Sequence, residues 1–191
     1  MRLFVGIEVS KDVRLTVSQI QAALSPALNR QGVRLVKPEK VHLTLLFLGN
    51  VDETKVSEIL PLLDHAAKVG DFSIQLRELG VFPTERRPGV VWIGVDGGQQ
   101  LLELQTVVTA ALEPYTEKND SRGYSPHLTL ARISPASQKI GLALKPSVNR
   151  TARDICGEPV ASEWKVSGIV LFQTMPDGSY LQLHRSPLGS A

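Results

Sequence analysis

Short runs rich in leucine, β-branched and aromatic residues recur along the chain, separated by stretches with helical spacing. Residues 2–8, 33–36, 41–48, 72–79, 89–96, 125–132 and 179–184 predict strands. After the first, Ser10 is placed to cap a helix with Val13, Val17, Ile20 and Leu24 on one face, and Pro26 is expected to end it. Asp52 can cap a second helical region carrying Val56, Ile59, Leu60 and Leu63, with Pro61 kinking it or delaying its start. Leu101, Leu104, Val108 and Leu112 mark a helix over 99–113. Ser134-Pro135 opens a short helix to about Leu144. Pro83 to Pro88 reads as a loop, 114–123 as a polar connection and 145–160 as irregular. Apolar residues return at 164–172, and Pro176-Asp177-Gly178 then makes the turn of a closing hairpin.

Helices alternate with strands, yet the hairpins call for antiparallel pairing. The fold class expected is therefore α+β, not a doubly wound parallel sheet. No Pro/Gly/Ser-rich linker divides the chain, so residues 1–191 are expected to form one domain or two small lobes in one chain. A hydrophobic fraction of 42% argues against disorder. No apolar run approaches the ~18 residues a membrane helix needs. The opening strand reaches Glu8 too soon for a secretory signal. Cys156 is the one cysteine, which excludes an internal disulfide and a multi-cysteine metal site. These features predict a cytoplasmic protein with no membrane partner, no metal and no cofactor.

A net charge of +2 is too weak for a long nucleic-acid track. Locally the balance differs. Arg30, Arg34, Lys37 and Lys40 face only Glu39 within 30–40, and Lys118, Arg122 and Arg132 face Asp120 within 118–132. Both segments flank the histidines considered next. They are either solvated turns or parts of a small anion site.

His-Leu-Thr-Leu occurs at 42–45 and again at 127–130, 85 positions later, in a chain with four histidines and ten threonines. Such an echo suggests two copies of one supersecondary unit. On a strand, residues i and i+2 share a face. His42 then stands beside Thr44 and His127 beside Thr129, while Leu43, Leu45, Leu128 and Leu130 point into a core. Two lobes packed with these faces together would line one cleft with two imidazoles and two hydroxyls. One imidazole can serve as general base and the other as general acid near neutral pH. The hydroxyls can donate to an anionic oxygen. A phosphodiester suits this equipment without a metal. A zinc site would need three or four ligands, and His65, His184 and Cys156 lack ligand spacing to either motif. A serine nucleophile would need an elbow such as Gly-x-Ser-x-Gly, and Ser125 near His127 does not make one.

These motifs resemble the signature of the two-histidine (2H) phosphoesterases, and within them the LigT-like RNA 2′,3′-cyclic phosphodiesterases. The likeness extends to residues 1–7, to Val41–Gly49 with Val51-Asp52-Glu53, and to Leu79–Pro83 with Arg87-Pro88 and Val91-Trp92. It continues through Ser125–Arg132 and, more weakly, as far as Tyr180. The resemblance implies two pseudo-symmetric lobes, each an antiparallel sheet with helices outside, around a central cleft. It implies hydrolysis of 2′,3′-cyclic phosphates on RNA 3′ ends or small nucleotides to 2′-phosphomonoesters, with the 3′ oxygen leaving. It also implies that His42 is the proton donor, His127 the proton acceptor and Arg132 a phosphate contact. The residues alone leave the two histidine roles interchangeable. Reverse 2′–5′ RNA ligation at the same site and a non-catalytic RNA- or nucleotide-binding module are the rival readings. A monomer is expected.

Strict alternation turns Arg132 away from His127 and Thr129, so a bulge, the strand end or the length of the side chain must bring it round. Leu46, where many relatives carry lysine, is expected on the face of His42 and Thr44. Phe4 is a candidate base-stacking residue, Tyr124 a candidate cleft border and Trp92 a core residue. His65 and His184 are expected on the surface.

Overall fold

A computed structural model describes residues 1–117, 123–157 and 160–189, with backbone only over 138–142. In chain order the strands are β1 Arg2–Glu8, β2 Val33–Leu35, β3 His42–Asn50, β4 Phe72–Thr84, β5 Arg87–Asp96, β6 His127–Ile133, β7 Glu163–Val166, β8 Gly168–Thr174 and β9 Tyr180–Pro187. The helices are α1 Lys11–Ala23, α2 Ser25–Leu28, α3 Val56–Ala66, α4 Gly98–Leu112, α5 Gly141–Leu144 and α6 Ala152–Cys156.

Local chemistry accounts for most element ends. The Ser10 hydroxyl accepts a hydrogen bond from the Val13 amide at 3.2 Å, satisfying an orphan N–H of α1. Val13, Val17 and Ile20 form the buried stripe of that helix. The helix ends at Leu24, before Pro26, which opens α2 as a first-turn residue rather than acting as a terminator. Asp52 caps a 3₁₀ turn at Glu53–Lys55 that runs into α3, and Pro61 lies inside α3 on its exposed side.

Two connections differ from the sequence expectation. The segment from Pro83 to Pro88 is mostly strand. Pro83 pairs with Pro88 and Thr84 with Arg87, leaving Glu85 and Arg86 as the turn. The prolines face one another beside a bulge at Phe82/Pro83, where a missing ladder donor is tolerated. Residues 145–160 contain α6, held by a capping box in which Thr151 and Asp154 satisfy each other's backbone amides.

All recorded strand pairings are antiparallel, in the order β7-β4-β5-β6-β3-β1-β8-β9, with β2 added beside β6. Read outward from the centre, β3-β1-β8-β9 mirrors β6-β5-β4-β7. These are the two lobes expected from the repeat. They join into one open sheet through a single recorded pair, Leu43 opposite Leu128. Each leucine follows the histidine of its own motif, so the pseudo-twofold axis passes between them. Both are 0% exposed, at the centre of the apolar layer between sheet and helices.

Two of the helices, α1 and α4, are exchanged between lobes. Although α1 follows β1 of the first lobe, it packs on α6, and its Gln21 reaches β6 of the second. In turn α4 follows β5 of the second lobe and packs on β3 of the first. This exchange, with the common apolar layer, ties both lobes to one core.

Candidate active site

The antiparallel register across the axis fixes the arrangement of the two motifs. With Leu43 opposite Leu128, His42 falls nearest Thr129 and Thr44 nearest His127. The leucines enter the core, so all four polar side chains rise from the other face. Each is half-buried. The structure thus brings together the two histidines and two threonines singled out by the repeat.

Both imidazoles are held in the same way. His42 Nδ1 lies 2.8 Å from the Lys40 carbonyl, and His127 Nδ1 lies 2.7 Å from the Ser125 carbonyl. A carbonyl only accepts, so each Nδ1 carries the proton that it donates. Nε2 is then the atom each ring has left for chemistry. As a neutral imidazole it accepts a proton, and as an imidazolium it delivers one.

Aromatic walls orient each ring. Phe4 stacks on His42 at 4.7 Å, and Tyr180 meets it edge-on at 5.1 Å. Phe82 approaches His127 edge-on at 5.2 Å, and Trp92 lies 5.9 Å away, tilted. Trp92 is therefore a half-buried wall of the cleft rather than a core residue. Gly80 leaves the space for its ring, because a Cβ there would sit 2.1 Å from Trp92. Phe4 cannot serve as a free stacking platform. It is 2% exposed and sandwiched between His42 and Phe172, which stacks at 5.0 Å. Tyr180, Phe172 and Phe82 were not singled out in the sequence, since their approach depends on strands distant in the chain.

The environment disfavours charge on both rings. Burial, followed by the Arg132 and His127 charges, pushes His42 down, against an opposing contribution from the Lys40 carbonyl. Burial and then Arg132 push His127 down, against the Ser125 carbonyl. Arg132 thus acts electrostatically on both histidines. Burial raises the Tyr124 phenol, whose hydroxyl donates to the Thr44 carbonyl at 3.3 Å. Tyr124 thereby braces the first motif from the segment that enters the second.

A bulge resolves the orientation of Arg132. Trp92 pairs with Thr129 and Val91 with Ala131, so Leu130 is an extra residue. Leu130 and Ala131 are consecutively buried, and the exposed Arg132 takes the cleft face. The first motif contains the same bulge. Gly6 pairs with Thr44 and Val5 with Leu46, leaving Leu45 extra. Leu46 consequently packs toward the core instead of the cleft, and Phe47, 63% exposed, takes the place equivalent to Arg132. Among the other candidates, His184 is tied to Asp64 at 2.7 Å, while Lys118, Asp120 and Arg122 lie outside the described residues. No group of three or more His, Cys, Asp or Glu is arranged for a metal among the described residues. No described helix is long and apolar enough to cross a membrane.

The family model for LigT-like phosphoesterases matches residues 7–92. An RNA 2′,3′-cyclic phosphodiesterase of Archaeoglobus fulgidus is 35% identical over 140 residues, 73% of this chain and 77% of that one. Its namesake in Aquifex aeolicus is 35% identical over 143 residues, 73% and 74% of the two chains. The chain belongs to the LigT-like phosphoesterases. Within this family, the TT0787 protein of Thermus thermophilus superposes with a TM-score of 0.76 at 27% identity, over 99% of this chain and 98% of that one. Apo LigT of Escherichia coli gives 0.69 at 23% identity, over 98% and 96%, a likeness of fold.

Proposed function

We propose that the protein hydrolyses 2′,3′-cyclic phosphates at RNA 3′ ends to 2′-phosphomonoesters. The observation that carries this reading is the pair of His-x-Thr strands meeting at Leu43 and Leu128, with both Nδ1 atoms committed to carbonyls. Relatives sharing about a third of the sequence bear the name RNA 2′,3′-cyclic phosphodiesterase.

In this reading the cyclic phosphate lies between the imidazoles. Thr44 and Thr129 donate to its nonbridging oxygens from opposite sides, and the Arg132 guanidinium neutralises it. His127 Nε2 accepts a proton from water as the water oxygen bonds to phosphorus. His42 Nε2 donates its proton as the bond from phosphorus to the 3′ oxygen breaks. The products are a 2′-phosphomonoester and a 3′ hydroxyl. Proton exchange with solvent resets the pair.

Lowered imidazole pKa values suit the base but oppose the acid in the free protein. The bound anion corrects this, because negative charge beside an imidazole favours its protonated form. Substrate binding thus charges the acid where it is needed. Hydrolysis of a cyclic-phosphate RNA by the parent protein, compared with His42→Ala and His127→Ala, tests the proposal. Loss of either acid–base partner is expected to cost at least ~100-fold in turnover.

A further inference from the structure

Past Leu128, β6 parts from β3 and takes β2 as its neighbour. Val33 pairs with Ile133, Arg34 with Arg132 and Leu35 with Ala131. Directly opposed residues on an antiparallel ladder share a face, with Cβ atoms about 4.5–5.5 Å apart. Ala131 and Ile133 are buried on the helix side, so Arg34 and Arg132 both rise on the cleft face, and both are exposed. Neither guanidinium has an ion pair or hydrogen bond among the described residues.

Like charges placed directly opposite destabilise a sheet, and β2 is only three residues long. An anion on that face converts the repulsion into attraction. Arg30 and Lys37 are exposed on the same segment and extend the positive field, whereas the Lys40 amine is engaged by the Gly178 carbonyl at 2.9 Å. The two basic segments read from the sequence therefore meet through Arg34 and Arg132. A planar guanidinium offers two parallel donors to one phosphate, so two guanidiniums suit two phosphates.

We propose that Arg34 binds the phosphodiester on the 5′ side of the terminal nucleotide while Arg132 holds the cyclic phosphate. This inference rests on the proposed reading of the site. It makes the substrate an RNA strand of at least two nucleotides, rather than a free cyclic mononucleotide. Specificity comes from counting phosphates along the strand, without reading a base.

The test compares a dinucleotide ending in a 2′,3′-cyclic phosphate with the matching cyclic mononucleotide, in parent and Arg34→Gln proteins. A charge-assisted contact corresponds to roughly tenfold or more in affinity. Arg34→Gln is therefore expected to lower kcat/KM for the dinucleotide about tenfold more than for the mononucleotide, with partial recovery in Arg34→Lys. A dinucleotide whose internal phosphate is replaced by a neutral methylphosphonate should be insensitive to the added substitution. An equal loss on both substrates, or undiminished sensitivity to Arg34→Gln with the neutral linkage, would overturn the inference while leaving the hydrolase reading intact. A parent protein inactive on both substrates would overturn the hydrolase reading and this inference with it.

Discussion

Replacing Gln21 with methionine tests how the bulge that aims Arg132 is maintained. Gln21 lies on α1, is 7% exposed, and its Nε2 donates to the Val36 carbonyl at 2.7 Å and the Leu130 carbonyl at 2.9 Å. Leu130 is the extra residue that turns Arg132 toward the cleft. Methionine keeps the approximate length of the side chain and removes both donors. Each neutral hydrogen bond contributes ~1 kcal/mol net, so the pair contributes about 2 kcal/mol. Leu130 retains the Val36 amide as a second donor at 2.9 Å, which limits the penalty on that carbonyl. For a chain of this size, 2 kcal/mol corresponds to a Tm lower by about 4–8 °C, leaving the protein folded at 25 °C. The local effect falls on Arg132. A single charge-assisted phosphate contact corresponds to roughly 10–100-fold, and Gln21→Met should forfeit at least half of that range on a logarithmic scale. Thermal unfolding and kcat/KM for a cyclic-phosphate dinucleotide measure the two effects separately. Because both substitutions act through one contact, the double variant Gln21→Met, Arg132→Ala should be no slower than Arg132→Ala alone. Additive losses, or a destabilised Gln21→Met protein with undiminished kcat/KM, would refute the link between bulge and arginine.

Further predictions concern pH and the cleft walls. With both free-protein imidazoles below 6.5, the bell of kcat/KM should lie on the acid side of 6.5, and the bell of kcat should move upward as the bound anion favours the imidazolium; coincident or flat profiles between pH 5 and 9 would count against the pair. Stability carries the matching sign: the unfolded chain binds protons on these histidines first, so their contribution is intact above pH 6.5 and declines as pH falls toward their folded values. Denaturant midpoints across that range, in the parent and a His42→Ala, His127→Ala protein, should diverge on the acid side. Phe47→Ala removes the exposed ring that takes the first motif's position equivalent to Arg132 and should raise KM for a nucleotide substrate about tenfold by loss of base stacking; an unchanged KM would remove Phe47 from the binding surface.

Most strands were legible from alternation, because a half-buried sheet requires it. Ser10 and the stripe of Val13, Val17 and Ile20 gave α1 for equally local reasons. The repeat of His-Leu-Thr-Leu disclosed both the lobes and the four residues now grouped at the cleft. What stayed open were the breaks in alternation: a bulge was one of several ways to turn Arg132, and at Leu46 none was expected. Leu45-Leu46 and Leu130-Ala131 are consecutive apolar pairs inside otherwise alternating strands, and each marks a bulge. Reading those pairs as insertions would have placed Leu46 in the core and Arg132 and Phe47 on the cleft face. The Thr151-x-x-Asp154 spacing likewise carried a capping signal for α6. By contrast, Trp92 over Gly80 and the opposition of Arg34 to Arg132 depend on register between distant strands. Local pattern carries no direct record of such a register.

In the mechanism proposed above, two imidazoles divide proton transfer at a cyclic phosphate. An RNA oligonucleotide ending in a 2′,3′-cyclic phosphate, incubated with the protein in EDTA and analysed for the position of the product phosphate, tests it most directly. The product expected is a 2′-phosphomonoester, with turnover at least ~100-fold lower in His42→Ala and in His127→Ala. A 3′-phosphate would contradict the leaving-group assignment, and hydrolysis undiminished by either substitution would contradict the paired-histidine mechanism itself.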